Sequence, residues 1–334
     1  MIDPFSNTAS ITERVRPVAI ETGVVAVHFL GDIAAFVLAE EAIVLASPDG
    51  ETKRIAVHDG AILSSASDGK RIVTGGDDGK IVSLGSNNAP SSVASDPKRR
   101  WIDRVALGPD GAVAWSAGKT ASVKPGKGVD RTWEGPSTVG GLAFAPKGFR
   151  LAVAHYNGVS LWFPNASAAP EMFEWKGSHL DVAFSPDGKY LITAMQEPML
   201  HGWRLADGKH MRMSGYAARV RSIDWTAGGR QLASSGSDKL ILWPFHGKDG
   251  PMGRSPGMFA AYKSRVVQVA CHPKSDVVAV GYEDGLALLV RIEDGAEIVV
   301  RRPGDSPISA LAWGAHGSKL AFGTEGGEAG IVDL

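Results

Sequence analysis

The sequence is poor in the features that would place it in several common protein classes. It has a single cysteine, Cys271, among 334 residues, so no intramolecular disulfide can form, which fits a reducing compartment. Neither sign of charge dominates, because 35 basic and 36 acidic side chains leave a net charge of −1. Duplex nucleic acid binding normally needs a basic excess. Nucleic acid is therefore not the default partner.

Long apolar runs and helical stripes are also missing. Residues 1–16 contain no apolar stretch, so we expect neither a secretory signal nor a transmembrane helix, and we expect a soluble protein of the cytoplasm. No part of the chain shows a sustained helical period of apolar residues. Glycine, by contrast, is abundant at 41 residues, which indicates a chain rich in turns.

What the sequence does contain is a repeat. Each copy has an alternating apolar run, a turn related to Pro-Asp-Gly, a second apolar run, an acidic or glycine turn, and a third run that often ends in Trp. Eight copies begin near residues 24, 60, 102, 139, 179, 220, 266 and 308. Their mean spacing of about 41 residues lies inside the range of roughly 40–45 for propeller blades. The alternation has the period of β-strands, and Asp-Gly turns fit tight antiparallel hairpins.

The repeat predicts an all-β fold, a closed β-propeller whose blades are four-stranded antiparallel sheets. Eight blades are favoured, with seven as the alternative. The predicted organisation is an N-terminal tail over residues 1–14 and a single propeller domain over residues 15–334.

The two ends of the chain predict how the ring closes. The last copy stops after its third strand at Leu334, whereas Val15–Glu21 is a spare strand before the first copy. We expect Val15–Glu21 to pair with Gly330–Leu334 and to complete the last blade. Pro17 is tolerated in such an outermost strand, because one edge of that strand is unpaired.

In these motifs the chain resembles the WD40-repeat family, over roughly residues 15–334. Ser185-Pro186-Asp187-Gly188 matches the family's first turn in sequence and position. Asp238 and Trp243 fit the family's Asp and Trp positions, and Trp162 and Trp203 repeat the Trp. The resemblance implies that these are structural repeat positions, with the three tryptophans packed between blades.

The chain also departs from the family pattern. It has no Trp-Asp dipeptide, and the family's Gly-His pair appears only as Gly215-Tyr216 and Ala261-Tyr262. The family's buried Asp-His-Ser/Thr-Trp hydrogen-bond network is therefore expected to be incomplete in most blades.

Motifs for catalysis or metal binding are not evident. The nine histidines are scattered without the close spacing of zinc ligands. The stretch from Gly253 to Gly257 matches Gly-x-Ser-x-Gly, but it lies in a loop with no helical pattern after it. The acidic turns at Asp77-Asp78 and Glu283-Asp284 lack the alternating oxygen ligands of a calcium loop. We predict no metal, no cofactor and no enzymatic activity.

A basic and aromatic set is the candidate binding surface. On a WD40 propeller the loops that enter each first strand lie on one rim, and Arg and aromatic side chains are the usual anchors of protein interfaces. The candidate residues are Arg99, Arg100, Trp101, Trp175, Tyr216, Arg219, Tyr262 and Arg265. In the other interpretation these loops pair with acidic turns on the same rim, at Asp77, Asp78, Asp238, Glu283, Asp284 and Glu325.

The leading hypothesis is a monomeric interaction scaffold that binds a protein or peptide on the propeller rim. The partner segment would be acidic or phosphorylated, because guanidinium groups grip carboxylates and phosphates. Two alternatives are an enzyme on a propeller scaffold, lactonase-like or hydrolase-like, and a propeller that contacts nucleic acid. Carboxylates, histidines or a metal that converge at the central channel would favour the enzyme. The fold alone cannot decide between these functions.

Overall fold

A computed structural model describes Phe5 and residues 8–334 of the chain. The described residues form 31 β-strands and two short 3-10 helices, at Thr12–Arg14 and Pro109–Gly111. The all-β prediction is confirmed. In this described part of the chain, no helix has the length and apolar character needed to cross a membrane.

The strands are numbered in chain order. The first fifteen are β1 (Ala9–Ser10), β2 (Val15–Val18), β3 (Val24–Leu30), β4 (Ile33–Leu38), β5 (Ala42–Ala46), β6 (Thr52–Ala56), β7 (Ile62–Ser67), β8 (Arg71–Gly76), β9 (Lys80–Gly85), β10 (Pro90–Ser95), β11 (Arg104–Leu107), β12 (Val113–Ala117), β13 (Thr120–Lys124), β14 (Arg131–Glu134) and β15 (Gly141–Phe144). The others are β16 (Leu151–Trp162), β17 (Glu171–Phe184), β18 (Tyr190–Met195), β19 (Leu200–Arg204), β20 (His210–Met213), β21 (Ile223–Trp225), β22 (Gln231–Ser234), β23 (Leu240–Pro244), β24 (Gly257–Phe259), β25 (Val266–Cys271), β26 (Val277–Tyr282), β27 (Ala287–Arg291), β28 (Glu297–Arg301), β29 (Ile308–Trp313), β30 (Lys319–Thr324) and β31 (Ala329–Asp333).

The chain packs as two compact units. Unit 1 comprises the described residues up to Leu38, together with Val44–Arg54 and Tyr216–Leu334. Unit 2 comprises Ala39–Ile43 and Ile55–Gly215. The single domain over residues 15–334 stays a prediction.

Within the described residues the strands form seven hydrogen-bonded sheets. Five are four-stranded: β3 to β6, β7 to β10, β11 to β14, β21 to β24, and β29 to β31 with β2. The sheet of β25 to β28 gains β1 as a fifth strand, and β15 to β20 form one six-stranded sheet. These sheets are the predicted propeller blades, in which successive strands are antiparallel.

The six-stranded sheet carries two copies of the repeat, those that begin near residues 139 and 179. Its strand β17 has 14 residues; Glu171 and Glu174 pair with β16, whereas His179 and Phe184 pair with β18. Seven sheets fit the alternative of seven blades. The favoured count of eight is not confirmed, because these two copies share one sheet.

The inner strands of the blades are buried along most of their length. In β8 five of six residues are buried, whereas the outer strand β10 exposes four of six. Val73 and Ile81 pack in one cluster with Ile102, Val113 and Trp115 of the following sheet. A strand covered on both faces reads as a continuous apolar run, and an outer strand does not.

A glycine at the end of the second strand meets the start of the next blade in three places. A Cβ on Gly75 would lie 2.5 Å from the Ile102 side chain, one on Gly281 would lie 2.5 Å from Ile308, and one on Gly323 would lie 2.5 Å from Val24. No real side chain tolerates such distances. The partners Ile102, Ile308 and Val24 are buried. Neighbouring blades therefore approach as closely as they do because these positions carry no Cβ.

The predicted pairing between the chain ends is present in unit 1. Strand β2 pairs antiparallel with β31, with Val15 opposite Val332 and Val18 opposite Ala329. Pro17 lies in this outermost strand, opposite Gly330. The Arg16 guanidinium donates to the carbonyl of Ser47 at 3.1 Å, which holds the same strand from a second side.

The predicted tail of residues 1–14 also takes part in the fold where it is described. Strand β1 pairs parallel with β28, with Ala9 opposite Ile298, and the N–H of Ile11 donates to Val299 at 2.9 Å. Phe5 is buried and its ring lies 5.3 Å from that of Tyr262. The N-terminal segment thus adds strands to two consecutive sheets, first β1 and then β2.

We predict that deleting residues 1–21 lowers the melting temperature strongly and promotes aggregation, because the edge of β31 and the outer edge of β28 become exposed. Thermal unfolding followed by circular dichroism is the measurement, with a chain lacking only residues 1–4 as the control. A melting temperature equal to that of the full chain would contradict the role of β2.

We also predict that Gly281→Ala destabilises the protein by about 1–3 kcal/mol, because the new methyl group overpacks against Ile308. Urea unfolding measures the change. Gly85→Ala is the matched control, since the nearest atom to its Cβ lies 3.8 Å away. In an Ile308→Ala background, which lacks the Cγ2 atom nearest to the new methyl group, Gly281→Ala should cost less, and equal losses at Gly281 and Gly85 would refute the steric account.

Candidate functional site

The predicted residues Arg99, Arg100 and Trp101 lie in a loop that Asp96 organises. The buried Asp96 carboxylate accepts the backbone N–H groups of Lys98 at 2.9 Å and Arg100 at 3.2 Å. Its own carbonyl accepts the N–H of Arg99 at 3.0 Å. A short acidic side chain that hydrogen-bonds the backbone just after it is a common way to fix a turn. We call residues 98–101 the binding loop, after the role that the sequence predicts for them.

Arg100 stabilises this loop by hydrogen bonds from its guanidinium group. Its guanidinium donates to both Asp96 oxygens, at 2.7 Å for Nη2 to Oδ2, and its Nη1 donates to Thr120 Oγ1 at 3.2 Å. These bonds from Arg100 lower the pKa of Asp96 below its ordinary value. The charge of Arg100 is therefore paired within its own loop, by Asp96 and not by one of the acidic turn residues named from the sequence.

Arg99 and Trp101 lie on either side of Arg100 in the sequence and face the solvent. Arg99 is exposed, and its φ of 52° turns the chain at this position. The Arg99 backbone packs closely against Gly79, because a Cβ on Gly79 would lie only 2.8 Å from the Arg99 Cα. The Trp101 residue is 63% exposed, a larger exposed fraction than that of any other aromatic residue among those described. The exposed Lys98 completes a rigid loop with two cations and one indole directed to solvent.

A groove of about 540 Å³ lies farther along the same unit. It is bounded by the segment at Pro136, by the turn at Tyr156, and by the segment from Met172 to Lys176. Tyr156 is 57% exposed and Met172 is 43% exposed. The predicted residue Trp175 lines this groove.

Trp175 is only partly exposed because it covers a buried histidine. Its ring stacks on that of His201 at a centroid distance of 4.1 Å, and His210 lies 5.0 Å from it. Neither ring nitrogen of the fully buried His201 has a hydrogen-bond partner among the described residues. Burial lowers the pKa of His201 to about 3, with help from the charges of His210 and His179, so this ring is neutral at pH 7.

Tyr216 does not belong to a binding surface, and the prediction for it is wrong. The side chain is buried, with Trp243 Nε1–H donating to its hydroxyl at 2.6 Å. The hydroxyl lies 2.7 Å from Ser234 Oγ, and Ser234 in turn donates to the carbonyl of Ile241 at 3.3 Å. Burial raises the pKa of Tyr216 to about 12. An aromatic residue near a turn can face inward when its polar end finds partners.

The other predicted binding residues lie in unit 1. Arg265 forms an ion pair with Glu283, one of the acidic turn residues. The half-buried Tyr262 packs against Phe5 and, at 5.4 Å, against Tyr282. Arg219 is exposed, immediately before the buried Val220. Their role in partner binding stays a prediction.

The structural repeat positions divide into two groups. Trp162, Trp203 and Trp243 are all buried, at 6%, 2% and 8% exposure. Trp162 packs with Ala114 and Val123, and Trp203 packs with Ala152 and Val159, each from the preceding copy.

The two acidic repeat positions lie in turns. Asp187 accepts the Ser185 hydroxyl at 2.7 Å and pairs with Lys189 at 2.9 Å, as a Ser-Pro-Asp-Gly turn requires. The Asp238 side chain is instead 62% exposed, next to Lys239, so it does not serve as a buried acceptor.

Comparison with known proteins decides what these repeats are. The family model "WD domain, G-beta repeat" matches residues 209–243, the copy that holds Tyr216, Ser234 and Trp243. WD repeat-containing protein 1-B of Xenopus laevis is 31% identical over 77 residues, 22% of this chain and 13% of that protein. The chain thus carries a WD40 repeat at residues 209–243, and these matches together support a WD40 β-propeller family.

Two other matches are longer but still partial. Telomerase protein component 1 of Rattus norvegicus is 27% identical over 199 residues, and its Mus musculus counterpart is 26% identical over 200 residues. Each match covers 58% of this chain and only 7% of the relative. The kinship supports a general role in protein interaction and carries over none of the relatives' particular activities.

A solved structure supports the fold over nearly the whole chain. The crystal structure of the computationally designed Ika8 protein superposes with a TM-score of 0.74, covering 94% of this chain and 97% of that one. Its sequence is 15% identical, so the likeness concerns the fold alone.

The WD40 hydrogen-bond network is present in altered forms. In the copy near residue 60, His58 Nε2 lies 2.8 Å from Thr74 Oγ1 and Nδ1 lies 3.0 Å from Asp78 Oδ1. Burial acts to raise the pKa of Asp78, but N–H groups of Asp59 and Lys80 and the bond with His58 outweigh it and lower that pKa. The copy with Tyr216 replaces histidine by tyrosine and keeps the serine and the tryptophan.

Sequence reasoning missed Tyr156, Met172 and the His58–Asp78 pair. No group of three or more metal-ligating side chains lies close together within the residues that the structure describes. His58 and Asp78 were visible as a His-to-Asp spacing of 20 residues in one copy. Tyr156 and Met172 gave no signal, because an exposed apolar residue in a strand looks like any other strand residue.

We predict that Tyr216→Phe destabilises the protein by about 1–3 kcal/mol, because Trp243 Nε1–H loses its buried acceptor and Ser234 loses its donor. Urea unfolding is the measurement. Tyr156→Phe removes an equivalent hydroxyl from an exposed ring and should change stability by less than about 0.5 kcal/mol. Equal effects of the two substitutions would show that the Tyr216 hydroxyl is not structural.

Proposed function

We propose that this WD40-repeat chain is a protein-interaction scaffold whose binding loop, residues 98–101, engages an acidic segment of a partner protein. The observation that carries the proposal is the preorganised loop in which Asp96 and Arg100 fix the backbone while Lys98, Arg99 and Trp101 face solvent. Preorganisation favours binding because little conformational entropy is lost on association.

The chemistry of the loop favours a carboxylate-bearing or phosphorylated partner segment. Arg99 and Lys98 form no ion pair with another described residue, whereas Arg100 is satisfied by Asp96. Trp and Arg are the side chains most enriched among residues that dominate binding energy. We also propose that the protein acts as a non-enzymatic monomer in the cytoplasm, consistent with its one, buried, free cysteine.

We predict that Lys98→Glu, Arg99→Glu abolishes recovery of the partners that the wild-type protein captures from its source cells, identified by mass spectrometry. Arg131→Glu, an exposed residue of the outer strand β14, is the control and should recover them all. Raised salt should weaken the wild-type complex through screening. Trp101→Ala should reduce recovery as well. The idea fails if the folded double variant captures the same partners as the wild type.

A further inference from the structure

The binding loop and the groove of unit 2 are connected through two side-chain contacts and the short chain segments between them. Arg100 donates to Thr120, and the adjacent Lys119 pairs with Glu134 at 2.6 Å. Lys119 lowers the pKa of Glu134, and the positive charges of Arg100 and Lys98 add to that effect, so the binding loop lies within electrostatic range of Glu134. Glu134 is two residues before Pro136, which forms one wall of the groove.

The groove holds its exposed apolar side chains in place by hydrogen bonds. The N–H of Tyr156 donates to Ser137 Oγ at 2.9 Å, and the Ser160 hydroxyl lies 2.9 Å from Met172 Sδ. Asn157, with φ of 68°, sits at a register shift between β16 and β17, and its side chain accepts the N–H of Gly177 at 3.3 Å. Irregular pairing of this kind re-aims side chains. The backbone of Tyr156 and the thioether of Met172 are thus held by hydrogen bonds while both side chains remain exposed.

The charges at the two ends of this surface differ. The binding loop supplies Lys98 and Arg99, whereas the groove mixes Lys176 with Glu174 around an apolar centre. A continuous polyanion such as RNA would bring phosphates against Glu174, which is unfavourable. A polypeptide can place carboxylates at the loop and an uncharged side chain in the groove.

We propose that the binding loop and the groove together form one docking strip for an extended acidic peptide that carries a large apolar side chain. Carboxylates of the peptide meet Lys98 and Arg99, and its apolar side chain enters between Tyr156, Met172 and Trp175. This inference rests on the proposed function of the binding loop and adds the apolar anchor, which sets the specificity. Apolar anchors in pockets with charged contacts at the rim are the usual division of labour in protein interfaces.

Defined polymers test the proposal without knowledge of the natural partner. Binding of poly-glutamate and of a random glutamate–tyrosine copolymer of matched length is measured by biolayer interferometry on the full chain. We expect the copolymer to bind wild type at least about fivefold more tightly than poly-glutamate. Tyr156→Ala, Met172→Ala should remove this advantage and leave poly-glutamate binding unchanged. Val129→Ala, at another exposed apolar residue of unit 2, should keep the advantage.

The outcomes separate this inference from the proposed function. The apolar anchor is overturned if wild type binds the two polymers equally. It is also overturned if Tyr156→Ala, Met172→Ala keeps the full copolymer advantage. In both cases the proposal that the binding loop binds acidic segments stands. Unchanged poly-glutamate binding by Lys98→Glu, Arg99→Glu overturns the binding loop itself. Tighter binding of poly-uridylate than of either polypeptide overturns both and assigns the surface to nucleic acid. Near-UV circular dichroism establishes that each variant is folded.

Discussion

The close contact between a glycine at the end of one second strand and a β-branched side chain at the start of the next blade is the constraint on which the rest depends. It is made by Gly75 with Ile102, by Gly281 with Ile308 and by Gly323 with Val24. Each branched side chain fills the space that a Cβ would occupy, and so it sets the spacing and the register between sheets.

The N-terminal strands protect sheet edges in unit 1. Strand edges invite unwanted pairing, and proteins protect them by covering them. Here β1 covers the outer edge of β28, and β2 covers β31. The two short strands are weak alone, but Phe5 and Arg16 anchor them through an aromatic contact and a hydrogen bond.

Much of the fold could be predicted from the sequence because strand alternation, Asp-Gly turns and repeat spacing are local and repeated. The pairing of β2 with β31 was also predictable, because a missing strand at one end matched a spare strand at the other. The candidate site was harder to predict from the sequence. Arg99 and Arg100 are neighbours of the same type, yet Asp96 draws one inward and leaves the other in solvent, and only three-dimensional contacts distinguish them.

Tyr216 illustrates the same limit from the aromatic side. Tyrosine in place of the family's histidine is read from sequence as a lost hydrogen bond and an available surface anchor. In the structure its hydroxyl reaches both Ser234 and Trp243, so the network is rebuilt with different atoms. Sequence shows that a position is altered, but whether the new side chain restores the function of the old one depends on its length and direction.

The continuous strand β17 has a consequence for how the protein opens. Repeat proteins usually loosen one unit at a time, because each unit contacts only its neighbours and local opening is cheap. In β17 a single run of 14 residues belongs to the outer edge of one copy and the inner edge of the next. Its first part, up to Ser178, pairs with β16, and its second part, from His179, pairs with β18, so both copies place backbone hydrogen bonds on one strand. Opening of one copy therefore acts on the strand that it shares with the other copy, and the groove is built on that strand.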